Sequence, residues 1–232
     1  MTRNGPLVGE PPRERGRKRV RAVRDGRVVV DTVAPVLVWE WPFYPTYHLP
    51  VADVDLTGLP SEAIRRVRLD VDGEPADLVR VDWDAMDQWF EEDEPVEVHA
   101  RDPYVRIDAL ASSRHVEVSV DGIVIADSRR PTVLFETRLP PRFYLPLPDV
   151  RLDLLRPSDT VTHCPYKGSA TYWSVELPDG ARHPDLFWTY RAPLPESQKV
   201  AGLAAVWTEK VDLRLDGVAQ ERPRTHFEVP GV

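Results

Sequence analysis

The sequence predicts a mainly β protein of two tandem, structurally similar small domains, with half-barrel or sandwich-like sheets and one or two short helices. Three observations predict this fold: a long internal repeat, Asp-Gly pairs between alternating apolar residues, and frequent prolines between short valine-rich runs. The chain has 24 prolines and 12 glycines. Proline fixes turns and interrupts helices, so this pattern favours strands broken by turns.

The internal repeat relates two segments of the same chain. Residues 19–26 match residues 115–122, an offset of 122 minus 26, or 96 residues. The register continues without a gap for more than thirty positions and aligns Glu40 with Glu136. Chance rarely produces so long a match in residue size and polarity, so the repeat indicates a duplicated domain.

The repeat predicts where the domains begin and end. The expected boundaries are a loosely attached tail at 1–18, a first domain at 19–113, a second at 114–220 and a C-terminal tail at 221–232. Residues 1–18 are polar and rich in arginine and proline, without the apolar run of a secretory signal. A third copy of the first strand, at 210–217, indicates that each domain also ends with such a strand. The strand at 115–120 is therefore expected to serve both copies.

Local patterns predict the elements of each copy. Asp-Gly pairs at 25–26, 121–122 and 216–217 suit the positive φ angles of hairpin turns. Further strands are expected at 36–40 and 46–49, and at 132–136 and 142–145. Short helices are expected at 61–66 and 84–94, and the carboxylate run at 91–94 is interpreted as a solvated helix end.

Composition excludes several classes of function. The formal net charge is -8, which favours neither nucleic acid nor an anionic membrane as a partner. The single cysteine, Cys164, rules out an intrachain disulfide and a zinc site of several cysteines. The histidines lack metal-ligand spacing, and no apolar run approaches the ~20 residues that span a bilayer. We therefore expect a cytoplasmic protein without a metal or evident cofactor.

A set of residues in the second copy resembles a known family. The set comprises Glu136, Tyr144-Leu145-Pro146, Thr162-His-Cys-Pro-Tyr-Lys-Gly168, Tyr172-Trp173 and Trp188-Thr-Tyr190. It resembles the bacterial and fungal domain-of-unknown-function family 427, also labelled nucleotidyltransferase 9, here in two tandem copies. The resemblance implies a compact β-rich domain and no established activity. The first copy has Leu69-Asp-Val-Asp-Gly73 where the second has Cys164-Pro-Tyr-Lys-Gly168.

The Cys-Pro-Tyr-Lys-Gly segment contains the candidate chemistry. Cys164, Lys167 and Glu136 are the candidate catalytic residues, since a thiolate is the reactive form of cysteine and nearby cations favour it. Adjacent side chains on a strand point to opposite faces, so His163 need not reach the sulfur. Cys164 could instead be a small buried apolar residue, and Lys167 could be a solvated turn residue.

Two further groups of residues are candidate sites. The first is a ligand-binding wall in the second copy, formed by Tyr144, His163, Tyr166, Tyr172, Trp173, Trp188 and Tyr190. The same aromatic residues could form an ordinary sheet core. The second is a polar cluster of the first copy: Arg101, Asp102, Tyr104, Arg106 and Asp108. Alternation would place Tyr104, Arg106 and Asp108 on one strand face. This cluster is either an Arg–Asp ladder at the domain junction or a second anion site.

Three functions are consistent with these patterns. The first is a small-molecule-binding domain pair with an enzymatic site in the second copy, for a small anionic or aromatic ligand. The observation behind it is that scaffold positions recur in both copies, whereas the reactive motif occurs once. The alternative is a noncatalytic interaction module with an unidentified protein partner. A nucleotide-handling transferase is the weakest, because the sequence lacks a Gly-Ser pair followed by paired aspartates and a phosphate-cradling loop.

Overall fold

A computed structural model describes residues 10–225 and confirms a mainly β fold of two similar units. The chain divides into a first unit at residues 1–103 and a second at 104–232. This division falls before the expected boundary at 113–114, because the strand Ile107–Ala111 pairs with Thr132–Glu136 of the second unit.

The first unit contains two antiparallel sheets. Its strands are β1 (Arg13–Arg15), β2 (Val20–Arg24), β3 (Arg27–Thr32), β4 (Val36–Val38), β5 (Thr46–Pro50), β6 (Ile64–Val71), β7 (Glu74–Val81), β8 (Gln88–Glu91) and β9 (Glu94–Val96). One sheet has the order β1-β4-β5-β7-β6 and the other β3-β2-β8-β9. Single turns of 3-10 helix lie at Val51–Asp53, Ser61–Ala63 and Trp83–Ala85.

The second unit repeats this plan with additional strands. They are β10 (Ile107–Ala111), β11 (Val116–Val120), β12 (Ile123–Ser128), β13 (Thr132–Glu136), β14 (Arg142–Leu145), β15 (Leu155–Cys164), β16 (Gly168–Glu176), β17 (Arg182–Tyr190), β18 (Ala204–Val206), β19 (Asp212–Leu215) and β20 (Val218–Ala219). The sheet orders are β10-β13-β14-β18-β17-β16-β15 and β12-β11-β19-β20. Turns of 3-10 helix lie at Leu147–Asp149, Leu152–Leu154 and Pro195–Val200.

The strand pairings show how each unit closes. In the first unit β8 pairs with β2, and in the second β19 pairs with β11 in the same way. The strand expected to serve both copies, β11, pairs with β12 and β19 of its own unit. The expectation of a shared strand was wrong because β8, with buried Trp89, closes the first unit. The pattern at 84–94 predicts a helix where β8 is observed.

The two expected helices are not observed. Residues 61–66 form a single 3-10 turn followed by the start of β6, and residues 84–94 include β8 and the turn to β9. The carboxylate run is a hairpin turn rather than a helix end: Glu92 has a φ of 51°, and Glu91 is buried. Long-range pairing with β7 and β2 overrides the weak helical patterns, as tertiary contacts often do.

The predicted Asp-Gly hairpins are confirmed. Asp25 and Gly26 have φ angles of 50° and 71°, and Asp121 and Gly122 have 49° and 80°. Positive φ at both central positions is what a type I′ turn requires. These turns fix the register of the β2–β3 and β11–β12 hairpins.

Part of the segment expected as an N-terminal tail belongs to the first unit. β1 pairs with β4, and the Lys18 ammonium donates a hydrogen bond to buried Glu91. Towards the other end, the Thr225 hydroxyl donates to Glu209 at 2.8 Å. Residues 1–9 and 226–232 of the expected tails lie outside the described residues.

The second unit buries apolar side chains on both faces of its seven-stranded sheet. One cluster lies between its two sheets and includes Val118, Ile125, Leu145 and Phe187. The other lies on the opposite face and consists largely of aromatic residues, described below. Among residues 10–225, no helix is long and apolar enough to cross a membrane.

Candidate functional site

Strand alternation and register bring the candidate aromatic residues to one face of the seven-stranded sheet. Along β14, Phe143 packs between the sheets, so its neighbour Tyr144 points to the other face. Tyr144 is paired with Ala205, which is paired in turn with Trp188, and Trp188 with Tyr172. Residues opposite each other on adjacent strands share a face, so these rings converge.

The converging rings form a packed aromatic face. Tyr144, Tyr172, Trp188 and Tyr190 are all less than a tenth exposed. The Trp188 indole N–H donates to the Tyr144 hydroxyl at 3.3 Å, and the two rings meet edge to face at 6.3 Å. Four of the seven candidate wall residues are therefore together, in one apolar cluster with Leu134.

The Cys-Pro-Tyr-Lys-Gly segment is the turn between β15 and β16. The Lys167 backbone N–H donates to the Cys164 carbonyl at 3.3 Å, and Gly168 has a φ of 93°. The Leu194 N–H donates to the Lys167 carbonyl at 3.1 Å, which holds the turn against the segment after β17. Tyr166 is half-buried within this turn. The turn thus has a defined backbone, and it fixes where the Lys167 side chain starts.

Lys167 and Glu136 form a buried ion pair. The Lys167 ammonium donates to the Glu136 carboxylate, and the two side chains are only 13% and 9% exposed. Burial alone would lower the pKa of Lys167, but the negative charge of Glu136 outweighs it and raises that pKa. Lys167 is therefore a permanent cation at neutral pH.

The Tyr144 hydroxyl lies within the electrostatic reach of this ion pair. Burial raises the pKa of Tyr144 to about 12, with Lys167 opposing the rise and Glu136 and Cys164 adding to it. Burial also raises the pKa of Tyr190. Both phenols are consequently protonated at neutral pH, so each has a hydroxyl proton that it can donate.

Cys164 and His163 lie on opposite faces of β15. Thr162, two residues before Cys164, shares a hydrogen bond of 2.8 Å with the Tyr172 hydroxyl, so the Cys164 side of the strand is the aromatic face. Cys164 is half-buried there. The His163 ring instead contacts the Ser169 hydroxyl at 2.9 Å and is exposed. His163 is thereby separated from the candidate site.

Trp173 is likewise separated from the aromatic face. It neighbours Tyr172 along β16 and packs, partly buried, against the cluster between the two sheets. Two of the seven candidate wall residues, His163 and Trp173, therefore point away from the ion pair. The alternation of β15 and β16 is the physical reason.

The polar cluster of the first copy is divided between the two units. Arg101 and Asp102 belong to the first unit, and the division falls between Pro103 and Tyr104. Asp102 is buried and accepts a hydrogen bond from the Trp39 indole at 3.0 Å. The Arg101 backbone N–H donates to Glu91 at 3.3 Å. These contacts give Asp102 and the Arg101 backbone a packing role within the first unit.

The remaining cluster residues lie at the start of the second unit. Arg106 and Asp108 form an exposed ion pair at 3.1 Å, and Tyr104 is 64% exposed. β10 begins only at Ile107, so Tyr104 and Arg106 precede the strand. The expectation that all three share a strand face was wrong, because Pro103 and the turn after it delay the start of the strand.

Sequence reasoning missed a second buried ion pair beside the aromatic face. The Arg142 guanidinium donates to both Glu209 oxygens, at 2.6 and 2.5 Å, and to the Thr208 hydroxyl at 2.8 Å. It also lies 5.9 Å from the Trp188 ring and 5.2 Å from that of Trp207. The one available signal was position, since Arg142 precedes Tyr144 by two residues and must share its face.

The first unit keeps the glutamate but surrounds it differently. Glu40, aligned with Glu136, lies 3.3 Å from Arg80 and 3.7 Å from Arg65. The Nε2 atom of buried His48 lies 3.9 Å from the Glu40 carboxylate. His48 is aligned with Tyr144 at the offset of 96 residues. Burial lowers the pKa of His48 to about 4, although Glu40 favours the charged form. The cations here come from strands β6 and β7 rather than from a hairpin turn.

Carboxylate, histidine and cysteine side chains do not converge as metal ligands in the described structure. Among residues 10–225, no group of three or more such residues could hold a metal ion. The candidate site therefore consists of an ion pair, phenol hydroxyls, aromatic rings and one thiol.

Comparison with known families identifies the relatives of this chain. The model of the family described as Domain of unknown function (DUF427), named NTP_transf_9, matches residues 13–68 and 108–217. The chain belongs to this family. The two matched segments are consistent with two copies, and together they cover more than half of the chain. The Lys167–Glu136 pair, Tyr144 and Cys164 all lie in the second segment. No curated protein matches the chain.

Proposed function

We propose that the second unit of this DUF427 protein binds a small molecule with an anionic or aromatic group at the face that contains Lys167, Glu136, Tyr144 and Trp188. The observation that carries the proposal is the buried Lys167–Glu136 ion pair beside a protonated phenol and packed rings. The first unit has no counterpart of the lysine turn, since residues 69–73 lack lysine and cysteine. The proposal therefore concerns the second unit alone.

The energetics of the ion pair support a binding role. Removing two charges from water costs several kcal/mol per ion, and well-packed apolar residues are often at least as stabilising as a buried pair. Fold stability is thus a weak reason to keep Lys167 and Glu136 in an aromatic cluster. Binding of an anionic ligand would explain the pair, because the ligand could share the Lys167 ammonium with Glu136 or displace Glu136 from it.

Each residue of the face has a role that its chemistry allows. Lys167 supplies a cation for a carboxylate or phosphate, and Tyr144 supplies a hydroxyl donor. Trp188, which is packed in the cluster, positions Tyr144 through the hydrogen bond that its indole N–H donates to the phenol oxygen. Cys164, half-buried on the same side of β15, contacts the ligand and is the candidate nucleophile if the unit is an enzyme.

A thermal-shift screen of the full chain against small carboxylates, phosphates and aromatic acids tests the proposal. A ligand at 100 times its dissociation constant stabilises the wild type by ~2.7 kcal/mol. We expect Lys167→Met to abolish this stabilisation and His163→Ala, on the opposite face of β15, to retain it. A screen without a stabilising compound, or one whose best compound stabilises Lys167→Met equally, would reject the proposal.

Thiol labelling separates binding from covalent chemistry. We expect a maleimide to label Cys164 in the folded protein and the screened ligand to slow this labelling, while Cys164→Ala still binds the ligand. Labelling that requires denaturant would mean that the sulfur is sealed in the core. The nucleophile role would then be discarded, and the binding role would be judged by the screen alone.

A further inference from the structure

The second unit has an apolar groove on the face of its large sheet opposite the Lys167 site. The groove has a volume of about 510 Å³ and is lined by residues of both sheets. Its apolar walls include Leu110, Val133, Phe135, Phe143 and Leu215. Phe135 and Leu110 are 45% and 50% exposed, which is unusual for large apolar side chains so close together.

The repeat identifies the same place in the first unit. The offset of 96 residues aligns Phe135 with Trp39 (135 minus 39) and Phe143 with Tyr47 (143 minus 47). Strand pairing makes Leu215 equivalent to Glu91. Leu215 pairs with Val116 and Glu91 pairs with Val20, and Val116 and Val20 are themselves aligned at the offset of 96 (116 minus 20). The lining of the groove can therefore be compared residue by residue with the first unit.

In the first unit this place is filled by the chain itself. Residues 97–102, which we call the plug segment, follow β9. Within it, His99 stacks on Tyr44 with ring centroids 3.9 Å apart, and Ala100 is 1% exposed in the core. Asp102 accepts the Trp39 indole hydrogen bond at 3.0 Å. Trp39 is only 8% exposed, against 45% for Phe135.

The described part of the corresponding stretch in the second unit, residues 220–225, does not fill the groove. After β20, the Gln220 backbone N–H donates to the Leu213 carbonyl. Leu213 corresponds to Trp89, which is paired with Val96, so Gln220 corresponds to Val96. Val96 is 3% exposed, whereas Gln220, Glu221 and Arg222 are exposed and polar. Residues 220–225 therefore contribute to the rim of the groove without supplying an apolar plug.

The chemistry of the groove defines what fits it. Phe135 replaces the indole donor of Trp39, and Phe143 lacks the hydroxyl of Tyr47. Leu215 replaces Glu91, which in the first unit accepts hydrogen bonds from Tyr47, Lys18 and the backbone of Arg101. An occupant of the second groove thus meets aromatic and aliphatic walls in place of these polar partners.

We propose that this groove is a docking site for an extended peptide segment of another protein, one that inserts apolar side chains. The plug segment of the first unit shows that this scaffold accepts a stretch of polypeptide at this position. The groove also has an aromatic lining, Phe135 and Phe143, of the kind from which interface hot spots are built. The proposal is independent of the function proposed for Lys167, which concerns the other face of the sheet.

Panning a random dodecapeptide display library on the full chain tests this proposal, followed by fluorescence anisotropy with the enriched peptides. We expect enriched peptides to carry at least two apolar side chains at alternating positions. We expect Phe135→Ser and Leu110→Ser to weaken their binding ~10-fold or more. Leu152→Ser, which removes a side chain of similar exposure outside the groove, is the matched control and should bind within ~2-fold of wild type.

A second variant keeps the test informative if a serine variant fails to fold. Leu110→Glu places at a half-exposed wall position the glutamate that the first unit has there, Glu14, without burying a charge, and it should also reject apolar peptides. The proposal would be overturned if no apolar peptides are enriched, if Phe135→Ser binds them as tightly as the wild type, or if no enriched peptide displaces Nile red from the groove. It would also be overturned if a chain that ends at Thr225 binds the peptides more tightly than the full chain, since residues 226–232 rather than another protein would then be the occupant.

Discussion

The two units share a scaffold but differ at two places, and the differences lie on opposite faces of the same sheet. At one place, Glu40 is shared by two arginines beside a neutral histidine, whereas Glu136 pairs with a single buried lysine beside a tyrosine. At the other, the first unit fills the end of its core with the plug segment, whereas the described residues of the second unit leave a groove. The two units thus share the pairing of their common strands while the chemistry at these two places differs.

Much of the difference lies at one edge of the large sheet. Between β14 and β18 the second unit has three long strands, β15, β16 and β17, where the first unit has β6 and the start of β7. These strands and the turn between β15 and β16 supply Cys164, Lys167, Tyr172 and Trp188. Additional strands at a sheet edge can add side chains to a face without disturbing the pairing of the strands that both units share. The comparison therefore predicts that the second unit depends on two buried ion pairs, Lys167–Glu136 and Arg142–Glu209, that have no buried counterpart at the aligned positions of the first unit.

The largest expected effect is at Arg142. Arg142→Met leaves the Glu209 carboxylate buried without its bidentate partner, so we expect a loss of about 3–5 kcal/mol in the stability of the second unit. The aligned substitution in the first unit, Thr46→Val, removes one hydroxyl hydrogen bond to Val38 and should cost about 1 kcal/mol. Hydrogen exchange, measured separately on peptides of each unit, compares the two. Equal losses would contradict the comparison.

Breaking the Lys167–Glu136 pair should also destabilise the second unit, by less than breaking the Arg142–Glu209 pair. Lys167→Met leaves Glu136 unpaired at low exposure, with an expected loss of about 3 kcal/mol. The double variant Lys167→Met with Glu136→Leu should recover most of it. In the first unit, Glu40→Gln should cost about 1 kcal/mol, because Arg65 remains largely exposed to water. Denaturant unfolding of the four proteins measures these differences, and a double variant no more stable than the single one would refute the ion-pair explanation.

The aligned residues His48 and Tyr144 should give the units opposite pH dependences. The folded-state pKa of His48 is lowered by burial to about 4, so its contribution is present above pH 6.5 and is lost as pH falls towards 4. This shift corresponds to about 3 kcal/mol. The pKa of Tyr144 is raised to about 12, so its contribution is present below pH 10 and is lost as pH rises towards 12. In hydrogen exchange of the first unit, His48→Phe should reduce the loss of stability at acid pH only. In hydrogen exchange of the second unit, Tyr144→Phe should reduce the loss of stability at alkaline pH only.

The hairpin glycines offer a smaller test. Gly168 and Gly73 have φ angles of 93° and 86°, and an added Cβ would meet no atom closer than 3.5 Å at the first and none within 4 Å at the second. Alanine at either position should therefore cost about 1–2 kcal/mol, from backbone strain alone. Only Gly168→Ala should also weaken binding of the ligand found for the second unit, because this substitution alters the turn that carries Lys167. Unfolding midpoints with and without that ligand distinguish the two effects.

The smallest effect is expected at His163. His163→Ala removes an exposed ring whose hydrogen bond is to the Ser169 hydroxyl, so stability should change by less than about 0.5 kcal/mol. Ligand binding at the Lys167 face should be unchanged. A large loss of binding in a thermal-shift titration would mean that the ligand reaches around the edge of β15, contrary to the face assignment.

The sequence by itself determined the duplication, the mainly β class and the Asp-Gly hairpins, because each depends on residues close together in the chain or on a repeat with a constant offset. It also separated His163 from Cys164, since alternation along one strand is a local property. It misassigned β8 to a helix because Met86, Trp89 and Phe90 have spacing that suits a helical face as well as a strand.

Tertiary structure alone decided which distant groups meet. Lys167 and Glu136 are 31 residues apart, and Arg142 and Glu209 are 67 residues apart, and no local pattern links either pair. Likewise, only the tertiary structure places the plug segment against Trp39 and leaves the aligned Phe135 exposed. Side chains on different strands become neighbours through sheet register, and register is set by the packing of the whole sheet rather than by the residues of any one strand.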